Sequence, residues 1–211
     1  MAAADSCGGL ITLEGGEGSG KTTLAAQIAQ RLRDEGQTVC VTREPGGTEL
    51  GRLIEGILQE EQSSPLSPLA ELLLFEADRA QHVSEVIVPA LNARRIVVCD
   101  RFTDSSLAYQ GYGRGLDLEL IRRLNDEATG GLKADLTLLL DVPPEVGLSR
   151  GDDQNDVTGR ETIDFHERVR GGFLELARAE PGRFVVIDGT LALEEVTERA
   201  ITAVREGLLL R

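Results

Sequence analysis

The apolar run Leu10-Ile11-Thr12-Leu13-Glu14 passes directly into Gly15-Gly16-Glu17-Gly18-Ser19-Gly20-Lys21-Thr22, which fits G-x-x-x-x-G-K-[S/T] at every fixed position. Few folds accommodate that order. The glycines let backbone N–H groups turn inward to line an anion-sized nest. The helix signalled by Thr23-Leu24-Ala25-Ala26-Gln27-Ile28-Ala29 points its positive end at the same place. Such a nest suits a nucleoside triphosphate, with Gly15, Gly16, Glu17, Gly18, Ser19, Gly20 and Thr23 around the phosphates. Lys21 would reach the β and γ groups and Thr22 would hold Mg²⁺. The bland alternative is a Gly-rich strand-to-helix turn without a ligand.

Four more short apolar or β-branched runs follow Leu10 to Glu14: Thr38 to Thr42, Arg95 to Cys99, Leu136 to Asp141 and Phe184 to Ile187. Between them the spacing predicts helices over about 21–35, 48–61, 68–93, 117–129, 144–149, 162–180 and 192–208. This alternation argues for a doubly wound α/β domain, a parallel sheet covered on both faces. Ser67-Pro68 reads as an N-cap followed by proline at the first helical position, Asp117 as a second cap, and Gly130-Gly131 as a helix stop.

A chain of 211 residues can bury its own core without a staple. It is read as a short tail, 1–9, and one domain, 10–211. Thirty-six acidic against 22 basic residues give a formal charge of −14, which argues against nucleic acid and anionic membranes as partners. An acidic protein that handles phosphates must gather its cations at one site. The three cysteines, Cys7, Cys40 and Cys99, are odd in number and widely spaced, which suits a reducing cytoplasm. The leader has neither a basic start nor a long apolar core, and no segment approaches the length of a membrane span.

Further motifs sit where the strands should end. Thr42-Arg43-Glu44-Pro45-Gly46-Gly47-Thr48 puts Arg43 at the carboxyl end of the second strand, the edge at which open α/β sheets bind ligands. Asp100-Arg101-Phe102 after the third strand matches the place of a water-bridged metal carboxylate and a phosphate clamp; a solvated ion pair is the alternative. Ser105-Ser106-Leu107-Ala108-Tyr109-Gln110-Gly111-Tyr112-Gly113-Arg114-Gly115 gathers hydroxyls, an amide and two tyrosines suited to reading a nucleotide. It also carries Arg114 between glycine turns, within reach of a phosphate, or it is a flexible connector. Phe75 and Arg79 share a helix face, able to stack on and hydrogen-bond a base, or simply to pack. The polar segment Gly151-Asp152-Asp153-Gln154-Asn155-Asp156 is either a surface loop or part of a lid over about 150–161.

Taken together, Glu14 to Thr22, the R-E-P-G-G turn, Phe75-Glu76-Ala77-Asp78-Arg79 and D-R-F-x-x-S-x-x-A-Y-Q-G resemble bacterial thymidylate kinase, over nearly the whole chain from Leu10 onward. The resemblance implies a P-loop kinase with a five-stranded parallel sheet in the order 2-3-1-4-5. It also implies γ-phosphoryl transfer from ATP to dTMP with Mg²⁺, feeding dTTP synthesis, in a homodimer. By position it gives Phe75 to the thymine ring and Arg79 and Ser106, with Ser105 beside it, to the polar edge. Tyr109 and Gln110 fall to the nucleoside, and Glu17 to the sugar 3′-hydroxyl. Arg43 falls close to the acceptor, Arg101 between the two phosphates, and Thr22 with Asp100 at the metal. Where relatives carry Asp-Arg-x-Glu in the lid, this chain reads Asp156-Val157-Thr158-Gly159-Arg160-Glu161. Arg160, for the transferring group, and Arg150, for the donor, are therefore the lid candidates. Two other classes remain open: another nucleoside or nucleotide kinase on the same scaffold, and a nucleotide-dependent switch. Against the switch, no D-x-x-G follows the third strand and no N-K-x-D occurs.

Overall fold

The computed structural model describes residues 8–60, 66–150 and 161–209. Cys7 and most of the anticipated lid, Arg160 included, lie outside the described residues. Strands β1 (Gly9–Gly15), β2 (Val39–Arg43), β3 (Ile96–Asp100), β4 (Leu136–Asp141) and β5 (Phe184–Asp188) form one sheet in the order β2-β3-β1-β4-β5. Every neighbouring pair is parallel. This is the doubly wound order that the resemblance implies.

Side chains alternate across the sheet, so each face has its own core. Ile11 and Leu13 of β1 join Ile96, Val98, Leu138 and Leu140 under α1 (Lys21–Asp34) and α9 (Leu193–Val204). On the opposite face Leu10, Val97, Cys99 and Leu139 lie under α3 (Pro68–His82), α4 (Val88–Asn92) and α8 (Ile163–Ala179), with α2 (Glu49–Gln59) packed beside α3. Each fully buried Leu or Ile contributes roughly 1.5–3 kcal/mol, so the central strands β1 and β3, buried along their whole length, anchor the domain. The expected caps form. Ser67 accepts from the Ala70 N–H, Asp117 from the Glu119 N–H, and Gly130 ends α6 (Leu118–Thr129) at φ 62°.

Three stretches differ from the sequence reading; the last, the helix expected over 192–208, closes as a π turn over Arg205–Leu209. The helix expected over 68–93 widens into a π turn over Val83–Ile87 before α4, with the Val88 N–H bonding the Val83 carbonyl. Pro89 follows; it has no N–H and crowds the carbonyl four residues earlier, so the ladder slips by one residue there. The region 105–113 is helical rather than a run of glycine turns: α5 (Thr103–Ser106) continues as a π segment, Leu107–Gly113, and the chain turns only at Arg114 and Gly115 (φ 80°). Its glycines serve close packing. A Cβ on Gly111 would stand 2.3 Å from Leu118 Cδ2, and one on Gly113 would stand 2.7 Å from Phe165 Cε2.

Candidate active site

Because all strands run the same way, their carboxyl ends collect on one edge, and the loops leaving β1, β2 and β3 enclose a cleft of about 980 Å³. That volume is at the upper end of the ~300–1,000 Å³ typical of small-molecule sites, room for a donor and an acceptor together. Glu17 to Thr23, Arg43, Phe75, Arg79, Asp100, Arg101, Ser105, Ser106, Tyr109, Gln110 and Arg150 all line it.

The phosphate loop is held open by its own backbone. Gly18 (φ 61°) touches α7 (Pro144–Arg150) so closely that a Cβ there would lie 1.9 Å from the Gly147 carbonyl oxygen. Only glycine fits. Helix α1 begins after Gly20 with no side-chain cap and no acidic residue in its first turn, which leaves its N–H groups directed at the nest. Lys21 is buried and donates to the carbonyls of Gly15 (3.1 Å) and Gly16 (2.8 Å) and to Ser19 Oγ (3.2 Å). Burial, reinforced by the Arg101 charge, pulls its pKa down to about 8.

Asp100 ends β3, and its Oδ2 accepts from the Thr22 hydroxyl at 2.6 Å. Two hard oxygens at the mouth of a phosphate nest fit Mg²⁺, which keeps waters and leans on substrate phosphates. Among the described residues no cluster of three or more acidic, histidine or cysteine side chains offers a complete protein cage.

Arg101, Arg43 and Arg79 are each steered by a carboxylate, and Arg150 by a backbone carbonyl. Arg101 donates from Nη2 to Glu17 Oε1 at 2.7 Å and lies 4.9 Å over the Tyr109 ring, whose hydroxyl bonds the same carboxylate oxygen at 2.8 Å. Burial opposes the guanidinium charge, but Glu17, Tyr109 and Asp100 outweigh it and hold the pKa well above normal. Arg43 forms a bidentate pair with Glu55, both contacts at 2.7 Å. Arg150 donates to the Gly189 carbonyl at 2.8 Å, beside the turn that carries Leu191.

Arg79 is 2 % exposed and gathers Glu44 Oε2 (2.9 Å), Glu76 Oε1 (2.7 Å), Ser106 Oγ (2.9 Å), Asn125 Oδ1 (2.7 Å) and the Phe102 carbonyl (3.0 Å). Glu44 Oε1 in turn meets His82 Nδ1 at 2.9 Å. Next to it Asp78 accepts from the Gly46 N–H at 3.2 Å. Burial and the nearby Glu44 push its pKa up to about 6. The β2 turn and the Phe75–Arg79 helix face are thus fastened together from below. Gln110 Nε2 bonds Glu71 Oε1 at 2.8 Å.

Arg114 is placed differently from its expected approach to a phosphate. It pairs with Glu71 and Glu161 and lies 4.7 Å over the Phe165 ring, because the π segment carries it past the cleft. The sequence reading also overlooked Glu44, Glu55 and Glu71, the acids that orient the cleft's arginines and Gln110. Partners from distant elements leave no local pattern. Leu193 and Val196, which also line the cleft, read as ordinary helix apolar positions, and Leu191 as part of the loop before them.

The sequence model of the thymidylate kinase family matches residues 13–200. The chain belongs to that family. It is 58% identical over 198 residues to the thymidylate kinase of a Synechococcus species, covering 94% of this chain and 95% of the relative. To that of Geobacter sulfurreducens it is 51% identical, with 97% and 98% covered. The crystal structure of thymidylate kinase from Ehrlichia chaffeensis superposes with a TM-score of 0.78 at 36% identity, over 94% of this chain and 99% of that one.

Proposed function

We infer that this chain transfers the γ-phosphoryl group of ATP to dTMP, releasing dTDP and ADP. The observation that carries the residue assignment is the single cleft in which the phosphate loop and the Phe75–Arg79–Ser106 face meet. A phosphate oxygen of dTMP forms the new bond to the γ phosphorus while the bond from that phosphorus to the bridging oxygen of ADP breaks. This chemistry needs no covalent nucleophile, only alignment and charge neutralisation.

In this reading the α1 N-terminus, the loop N–H groups and Lys21 hold the β and γ phosphates. Arg150, beside Gly189, steadies the donor. Arg101 stands between donor and acceptor, and Arg43 exchanges its exposed contact with Glu55 for the acceptor phosphate. Phe75 lies against the thymine, with Arg79, Ser105 and Ser106 at its polar edge and Gln110 near the nucleoside. Tyr109 and Glu17 meet the sugar. Thr22 and Asp100 would hold Mg²⁺, which supplies charge neutralisation at the phosphates. Arg160 is retained as the lid cation on sequence grounds alone.

A homodimer is supported by an apolar strip among the described residues: Leu50 and Leu53 on α2, Leu69 and Leu73 on α3, all exposed. A cytoplasmic setting is supported by the thiols of Cys40 and Cys99, neither in a disulfide. Among the described residues no helix is long and apolar enough to cross a membrane.

The deciding assay is ADP release from Mg²⁺-ATP with dTMP, dUMP, dCMP, dGMP, AMP or thymidine offered singly. Strong stimulation by dTMP above the others is expected. Release that no acceptor stimulates would leave a triphosphate-binding switch and remove the kinase reading.

A further inference from the structure

Glu14 is an anomaly in the sheet. It closes the apolar run of β1, is 0% exposed, and lies beneath the cleft rather than in its wall. Strand alternation sends Ile11 and Leu13 to one core and Leu10, Thr12 and Glu14 to the opposite face. There the Thr12 hydroxyl pairs with that of Thr137 at 2.8 Å. Glu14 reaches instead toward the turn after β3. Its Oε1 accepts from the Phe102 N–H at 2.8 Å and its Oε2 meets the Ser105 hydroxyl at 2.6 Å.

What these bonds hold is unusual. Arg101 has φ 68°, left-handed backbone that a side chain other than glycine adopts only when its surroundings over-determine it. Its N–H is bonded to the Leu13 carbonyl at 2.9 Å, and its carbonyl accepts from Cys99 Sγ at 3.1 Å. The next N–H along, on Phe102, goes to Glu14. With the chain turned this way, the Arg101 guanidinium swings back over Tyr109 to Glu17 and the Gly15 carbonyl, into the space between the phosphate loop and the acceptor side.

We propose that Glu14 is a positioning residue for phosphoryl transfer: bonded to Phe102 and Ser105, it locks the left-handed turn that aims Arg101 into the cleft. The inference rests on the reading of Arg101 as the cation between the two phosphates. Glu14 touches no substrate; it ties the strand that carries the phosphate loop to the turn that carries the arginine. Burial, then the neighbouring Asp104 charge, raises its pKa to about 8, so near neutrality the carboxyl keeps its proton. A neutral carboxyl accepts from the Phe102 N–H through one oxygen and shares a proton with Ser105 through the other. A glutamine amide does the same, whereas leucine of similar size leaves the Phe102 N–H buried without a partner.

The test is a kinetic cycle on the full chain: Glu14→Gln, Glu14→Leu, Arg101→Ala and Glu14→Leu with Arg101→Ala, assayed with dTMP and Mg²⁺-ATP and each checked for cooperative unfolding. Misaiming a group by about 1 Å costs on the order of 100-fold. Glu14→Leu is therefore expected to lower kcat by about 10- to 100-fold with the KM for ATP little changed. Glu14→Gln should stay within about threefold of wild type. On the Arg101→Ala background Glu14→Leu should cost almost nothing further, which a merely structural carboxylate would not produce. Wild-type kcat in Glu14→Leu, or the same loss with and without Arg101, overturns the proposal while leaving the Arg101 reading intact. Wild-type kcat in Arg101→Ala overturns that reading and the proposal with it. If Glu14→Leu does not fold, Glu14→Met, unbranched and close to glutamate in length, takes its place in the cycle, and full additivity with Arg101→Ala is again the overturning result.

Discussion

Lys21 shows how one side chain can carry both affinity and a pH response. Its ammonium is desolvated and beside Arg101, so the charged form is disfavoured and the pKa falls to about 8. Phosphate oxygens favour the charged form and raise the pKa in the complex. Binding of ATP above pH 8 must then take up a proton, and affinity falls as pH rises, by up to about tenfold per unit. Calorimetry at pH 8.5 in buffers of different ionisation enthalpy should report this uptake, and Lys21→Met should abolish it. ATP binding without linked protonation would mean that Lys21 is charged throughout. The other cleft cations are arginines held by carboxylates, Arg101 by Glu17 and Arg79 by Glu44 and Glu76. They add no alkaline step of their own.

At the scale of elements, the π segment Leu107–Gly113 decides which of its side chains reach the cleft. Slipping the ladder by one residue leaves Tyr109 and Gln110 facing the cleft and rotates Arg114 onto Glu71 and Glu161. Gly111 and Gly113 let α6 and α8 approach it. Phe165, which Gly113 faces, is 2 % exposed and packed by Tyr109 and His166. It has nowhere to go. Gly113→Ala is therefore expected to destabilise the fold by about 1–3 kcal/mol in chemical denaturation. Gly111→Ala, facing the half-buried end of Leu118, should cost less. Equal midpoints for both variants and wild type would show that α8 yields at Phe165. Glycines at 111 and 113 read from sequence as turn residues because a packing glycine and a turn glycine look alike until the neighbour across the interface is known.

The molecule as a whole carries −14 charges yet must hold phosphates. It does so by concentrating Lys21, Arg43, Arg79, Arg101 and Arg150 along one cleft, with Arg43, Arg79 and Arg101 each paired to a carboxylate and Arg150 bonded to the Gly189 carbonyl. On the outer surface, Leu53 and Leu73 stand 64% and 48% exposed on adjacent helices. An apolar strip of that kind is stable in water mainly when covered. Sedimentation should show a dimer of wild type, and Leu53→Glu with Leu73→Glu should shift it to monomer. A wild-type monomer at micromolar concentration would remove the dimer proposal.

The strands, the phosphate loop, the caps at Ser67 and Asp117 and the motif residues that follow β1, β2 and β3 into the cleft were legible in the chain. These features depend on local spacing, on glycine and proline, and on apolar period, all of which act over a few residues. The strand order came from likeness to a family, since five parallel strands alone permit several windings. Only the tertiary structure decided which carboxylate each arginine meets, that Arg114 turns away from the cleft, and that Glu14 reaches 88 residues along the chain to Phe102. Those are long-range pairings in a desolvated interior, where the partner is chosen by the packing of whole elements and leaves no trace in the neighbouring sequence.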